Sequence, residues 1–232
     1  MKFERISWLL CLVLACSLPC HAPAATVTWL TPSGTNYWDV ATNWSSLSVP
    51  TNGDDVVITN IGIGVLLTNS SYPLGSLFIS NTATLICSNW NTALNATNVT
   101  VQKSAIITHA ANSDTDGSDG WTPDARVWIV CSNLTVAVSG SINVNLKGYG
   151  APVSASPGYG PGGGRNMYWS DSGYTNHGHG AGYGGFGAGG GMGPNYFGNY
   201  GSLTYGMLEA PEDPGSGGAS GGAGGGASGV GS

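Results

Sequence analysis

The chain has 232 residues, 39 of them glycine, and only 8% are charged, with six Lys and Arg set against twelve Asp and Glu. Beyond residue 24 the cations are Lys103, Arg126, Lys147 and Arg165, too few and too scattered to neutralise phosphates, so nucleic acid is excluded as a partner. The same shortage argues against a lyase of acidic polysaccharides, which needs a cationic base and a charge-neutralising groove.

Residues 1–24 read as a secretory signal peptide. Lys2 and Arg5 precede the apolar run Trp8 to Leu18, and Ala22-Pro23-Ala24 offers the small residues of a cleavage site. Cleavage is expected after Ala24 or Ala25. The run is shorter than the about 20 residues a bilayer span requires, and no later stretch is long and apolar enough, so no transmembrane span is expected. Val13-Leu14-Ala15-Cys16 is a partial lipoprotein box and leaves lipidation of Cys16 as a rival. Loss of the leader takes away Lys2, Arg5 and Glu4, leaving four basic and eleven acidic side chains, net −7.

Residues 25–60 are rich in tryptophan. Trp29, Trp38-Asp39, Ala41-Thr42-Asn43-Trp44, Val49-Pro50 and Gly53-Asp54-Asp55-Val56-Val57-Ile58 resemble the openings of large secreted bacterial β-helical and autotransporter-associated-repeat proteins. The resemblance implies an N-terminal cap, in which aromatics such as Trp38 and Trp44 cover the raw face of a first coil. Stacking of these tryptophans on sugars is the alternative.

Within residues 61–147 a spacing recurs: Leu77, Ile79, Ala83 and Leu85; then Val99, Val101, Ala105 and Ile107; then Leu134, Val136, Gly140 and Ile142. Alternation and β-branched content predict strands. The interval from Val99 to Leu134 is longer than that from Leu77 to Val99, which suits stacked coils of a parallel β-solenoid with a corner loop inserted in the longer one. An antiparallel sandwich is the competitor. Cys87 and Cys131 remain after the leader is removed. A single bridge and two separate buried thiols are the alternatives; different places in the repeat favour different columns and non-neighbouring coils, beyond the roughly 7 Å reach of a disulfide, and so the separate thiols.

From Gly148 to Ser232 more than a third of the positions are glycine, interleaved with tyrosine and phenylalanine. Glycine permits positive φ and close backbone approach. The blocks His179 to Gly185, Tyr205-Gly206 and Pro211 to Ala227 resemble the glycine-rich domain of anaplastic-lymphoma-kinase-type receptors and of many bacterial surface proteins, which implies glycine helices packed side by side. In that family a β-strand follows; here Ser228 to Ser232 follows instead. A truncated product is expected, or else a disordered tail.

Chemistry-bearing clusters are few. Asp114, Asp116 and Asp119 form a calcium candidate without the spacing of an EF-hand, set against a solvated acidic turn. His177 and His179, with Asp171 nearby, suggest a metal less well than a structural role over glycine backbone. Glu209, Glu212 and Asp213, like Asp54 and Asp55, lack an acid/base partner. Asn43, Asn69, Asn95, Asn98 and Asn133 occupy glycosylation sequons.

The expected fold is all-β: a short right-handed parallel β-solenoid with an N-terminal cap, followed by a glycine-rich region that is polyglycine-helix-like or partly disordered. The expected function is that of a secreted structural or adhesive surface or matrix protein. No catalytic residue is expected, and no cofactor beyond calcium. Its partner is expected to be cell-envelope polysaccharide or another surface protein. The alternative is the N-terminal fragment of a carbohydrate-binding or polysaccharide-cleaving β-helix.

Overall fold

Two parallel five-stranded sheets face each other across one aliphatic interior. The structure, a computed structural model, describes residues 24–112, 124–150, 156–164, 166–167, 177–178, 180–181 and 215–219. The strands are β1 (Thr26–Thr28), β2 (Thr35–Tyr37), β3 (Asp55–Ile58), β4 (Gly64–Leu67), β5 (Leu74–Ile79), β6 (Thr84–Cys87), β7 (Leu94–Val101), β8 (Ile106–His109), β9 (Ile129–Val136) and β10 (Ser141–Ile142). Odd-numbered strands form one sheet, in the order β1-β3-β5-β7-β9, and even-numbered strands form the other, β10-β8-β6-β4-β2. Each coil therefore gives one strand to each sheet, and every strand pairs with its counterpart in the next coil. This is the solenoid the repeat predicts.

Register makes the interior a set of columns. Val27, Val56, Leu77, Val99 and Leu134 stand one above another in the first sheet, beside Ile58, Ile79, Val101 and Val136. In the second sheet Val65, Leu85, Ile107 and Ile142 align, next to Leu67, Cys87 and His109. A coil cannot hide such a row by itself, so stability comes from stacking neighbours. The coil of Val56, Ile58, Ile63 and Val65 lies in the same columns, but has one more residue between its pairs than the repeat allows. The turn at Gly62, with φ of 67°, takes up that residue at a position suited to glycine.

One corner is turned without glycine. Asn81 and Thr82, and one coil later Lys103 and Ser104, all have positive φ, a conformation that costs non-glycine residues. Bonds between coils offset it: Asn81 Nδ2 donates to the Thr59 carbonyl at 3.0 Å, the Thr82 amide to the Lys103 carbonyl at 3.1 Å, and Thr82 Oγ1 accepts from the Gly62 amide at 3.0 Å.

The N-terminal end is closed by three tryptophans. Trp29 continues the Ile58 column, its amide donating to the Val57 carbonyl, and Trp38 continues the Leu67 column through the Leu66 carbonyl. Trp44 lies edge-on to both, with ring centroids 4.8 Å from Trp29 and 4.7 Å from Trp38. All three are buried. The chain beside Trp44 also covers the free edge of β1, since Leu30 donates to Asn43 and Ser45 to Thr28. The cap therefore seals both apolar surface and backbone.

Downstream, short glycine segments lie close together. Gly164 donates to Gly217 and Gly217 to Tyr159, while the amide of the buried Tyr149 donates to Gly215. A Cβ at Gly158 would overlap the Gly217 carbonyl, and one at Gly160 would fall 2.5 Å from the Tyr149 ring. Side chains are excluded there because backbones take their space. A two-stranded antiparallel pair, β11 (Asn166–Met167) and β12 (His177–Gly178), is also present.

Candidate functional site

The corner between the sheets changes character along the solenoid. In the coils of β4 and β6 it is filled by small polar residues that bond backbone to backbone: Asn89 Nδ2 donates to Thr68, and Asn95 Nδ2 and its amide bond Ser71. After β8 the described chain runs to Asn112 and resumes at Asp124. Asn112 tethers the two sides, accepting from the Ala125 amide at 3.0 Å and donating to the Lys147 carbonyl at 2.7 Å.

Immediately beyond this tether Arg126 is held between two indoles. Its guanidinium carbon is 4.7 Å from the Trp90 ring centroid and 4.6 Å from that of Trp128. Nε donates to the Trp90 carbonyl at 2.8 Å. The Trp128 backbone is anchored too, its carbonyl accepting from the Leu94 amide at 2.9 Å. Trp128 nevertheless remains 39% exposed. The result is a rigid aromatic surface with a cation stacked on it, a geometry worth about 0.5–2 kcal/mol per ring. Such a surface can receive the apolar face of a sugar or an aromatic side chain of a partner.

His109 lies behind this corner, buried at the foot of the Leu67 column. Its Nδ1 donates to the Ala110 carbonyl at 2.7 Å, leaving Nε2 as the acceptor nitrogen. Burial holds its pKa below the ordinary value of 6.5; the Lys147 charge adds to that, while the Ala110 bond and Asp124 oppose it. The imidazole is thus a neutral core group. Among the described residues no group of three His, Cys, Asp or Glu side chains could hold a metal.

Asp54 and Asp55 are structural. Asp54 accepts from the Ala25 amide at 2.9 Å and from the amide and hydroxyl of Thr51; burial alone would raise its pKa, but these bonds together bring it below the usual value of 3.8. Asp55 accepts from Ser76 Oγ. The five sequon asparagines all use Nδ2 as a donor within the fold: Asn43 to Tyr37, Asn69 to Asp39, Asn95 to Ser71, Asn98 to Gly75 and Asn133 to Asn98. The calcium candidate of Asp114, Asp116 and Asp119 lies outside the described residues, as do Asp171, His179, Glu209, Glu212, Asp213, residues 1–23 of the leader and the stretch 220–232. Only the backbone of His177 is described.

Residues 43–117 match the G8 domain. That stretch runs from the turn before Trp44 through β3–β8 to residue 117, about a third of the chain. G8 is an extracellular domain. Comparisons with curated proteins and with solved structures returned no match. No helix among the described residues is long and apolar enough to cross a membrane.

The aromatic corner is not visible in the sequence. Trp90 stands far along the chain from Arg126 and Trp128, and only the coil register brings Trp128 beside the turn that carries Trp90. Two tryptophans flanking the polar insertion are the available signal.

Proposed function

We propose that this protein is a secreted, non-catalytic scaffold of a cell surface or matrix, and that it meets its partner through the Trp90–Arg126–Trp128 corner. The single observation carrying this reading is the contrast between that corner and the other polar groups. Asp39, Asp54, Asp55 and the sequon asparagines are engaged with neighbouring backbone or side chains, while the exposed Trp128 ring is presented outward. The extracellular nature of the G8 domain supports secretion. Similarity of the stretch 25–60 to bacterial β-helical surface proteins, and of the glycine-rich blocks to anaplastic-lymphoma-kinase-type receptors, supports a surface role. Cell-envelope polysaccharide is the partner class the exposed indole suits best.

The mature chain should co-sediment with insoluble envelope polysaccharide without releasing reducing sugar, and Trp128→Ala should weaken retention at least tenfold while circular dichroism shows the protein still folded, its stability lowered by about the 0.5–2 kcal/mol of the lost stack. Retention unaffected by Trp128→Ala overturns the assignment of the corner. Release of reducing sugar would instead favour the second reading, a polysaccharide-cleaving β-helix, for which Trp128 would be a substrate platform.

A further inference from the structure

Arg126 is a half-buried cation whose partners among the described residues are two indoles and one backbone carbonyl. No described carboxylate forms an ion pair with it. Asp124, two residues earlier, acts on His109. A guanidinium carries five N–H donors in one plane. The rings stack on that plane and Nε is spent on Trp90, so the edge formed by Nη1 and Nη2 has no acceptor among the described residues.

This edge is held still. Trp90 sits in the turn between β6 and β7, Trp128 is anchored one coil on by the Leu94 amide, and Asn112 fixes the chain at Ala125, immediately before Arg126. The same Asn112 holds the Lys147 backbone, and the Lys147 charge is felt at His109, so two of the four cations beyond the leader converge on one corner. A fixed planar fork matches a carboxylate, which presents two acceptor oxygens in one plane. The exposed Trp128 ring lies against the fork, 4.6 Å from its central carbon. A ligand suited to both has an apolar ring face and a carboxylate on the same unit, which is the chemistry of a uronic acid. Two cations are too few for a string of phosphates.

We infer that the corner selects uronate-bearing polysaccharide, with the Nη edge of Arg126 pairing with a sugar carboxylate while Trp128 takes the apolar face of the same sugar. This rests on the proposed function, and narrows its partner from polysaccharide in general to an acidic one. Binding one carboxylate asks for one fork; it does not ask for the base and the charge-neutralising groove that a lyase requires. The net charge of −7 opposes a polyanion at long range, so the selectivity comes from this contact and not from the field of the whole molecule.

Retention of the full mature chain on immobilised polygalacturonate and alginate, and on the same polymers after carboxyl reduction, tests this at physiological ionic strength. Reduction turns each carboxylate into a primary alcohol and keeps the rings and linkages, so it removes only the acceptor the fork reads. At least one uronate polymer is expected to hold the wild-type chain about tenfold or more tightly than its reduced form, the scale of a hydrogen-bonded charge pair. Arg126→Gln should bring the two forms to equality and Arg126→Lys should lose most of the difference, with far-ultraviolet circular dichroism showing both variants folded. If Arg126 only props the indoles, its replacement weakens both forms alike and leaves their ratio unchanged; that result overturns the inference. Equal retention of both forms by the wild-type chain, with Trp128→Ala releasing both, overturns it too and leaves the proposed corner standing. Retention of neither form, or retention indifferent to Trp128→Ala, defeats the corner itself and this inference with it.

Discussion

The indole Nε1 of Trp44 donates to the main-chain carbonyl of Trp38 at 2.7 Å, inside the cap, with both residues buried. One side chain thus fills the space between two columns and satisfies a carbonyl that no further coil pairs. Trp44→Phe keeps an aromatic ring but leaves that carbonyl buried and unpaired, a loss of about 1–3 kcal/mol. Trp44→Ala adds a cavity and should cost about 3–5 kcal/mol. Urea unfolding followed by circular dichroism measures both; a Trp44→Phe variant as stable as wild type would mean that the bond contributes nothing.

Gly140 occupies the place that Ala83 and Ala105 take in earlier coils. A Cβ there would overlap the Val101 carbonyl oxygen and lie 2.8 Å from its carbonyl carbon. Backbone cannot yield as a flexible side chain does, so Gly140→Ala should destabilise by about 1–3 kcal/mol. The adjacent exposed Ser139→Ala should be within about 0.5 kcal/mol of wild type. A neutral Gly140→Ala would show that the last corner differs from the one described.

Stability should depend on pH in two separate windows. The pKa of His109 in the fold lies below its ordinary 6.5 because of burial, so the unfolded chain takes up the proton first. This contribution is complete above that value and is lost as pH falls below it towards the folded pKa. Asp54 is also lowered, from 3.8; its contribution is present above that value and lost at lower pH. Melting temperature should fall in the mildly acidic range, and His109→Asn should flatten that decline while leaving the drop near the carboxylate range. A wild-type melting temperature constant from about pH 7.5 to 5 contradicts the neutral buried imidazole.

The thiols should behave as two independent groups. Cys87 and Cys131 are both free, on β6 and β9, in opposite sheets two coils apart. Burial pushes the Cys87 thiol up to about 11, against a hydrogen bond from the Trp128 backbone amide, which lowers it. Iodoacetamide at neutral pH should leave native Cys87 unlabelled, since it is fully buried and the thiolate is the nucleophile, and denaturation should expose it. Half-buried Cys131 should react first, and the intact mass should show no loss of two hydrogens.

Much of the solenoid is legible because its physics is periodic. Leu77, Val99 and Leu134 repeat with the same alternation, and a strand's side-chain period of two carries that pattern directly into register. The coil of Val56 to Val65 escapes the pattern because one added residue before Ile63 breaks the spacing, although the turn at Gly62 absorbs it. Trp38 and Trp44 read as parts of a cap, and there they lie. Trp29, by contrast, belongs both to the cap and to the head of a column, which composition does not distinguish.

The sequence alone determined that this chain forms strands, that they stack in coils, and that glycine dominates beyond residue 147, because alternation and composition are local properties. Tertiary structure alone decided that Trp90, Arg126 and Trp128 form one surface, that Cys87 and Cys131 stay apart, and that Leu134 emerges exposed where Val99 is covered. Those outcomes depend on which coil lies beside which, and on what packs against the last one. A solenoid residue is buried by its neighbours in the stack, so the same side chain in the same column is core in the middle and surface at the end.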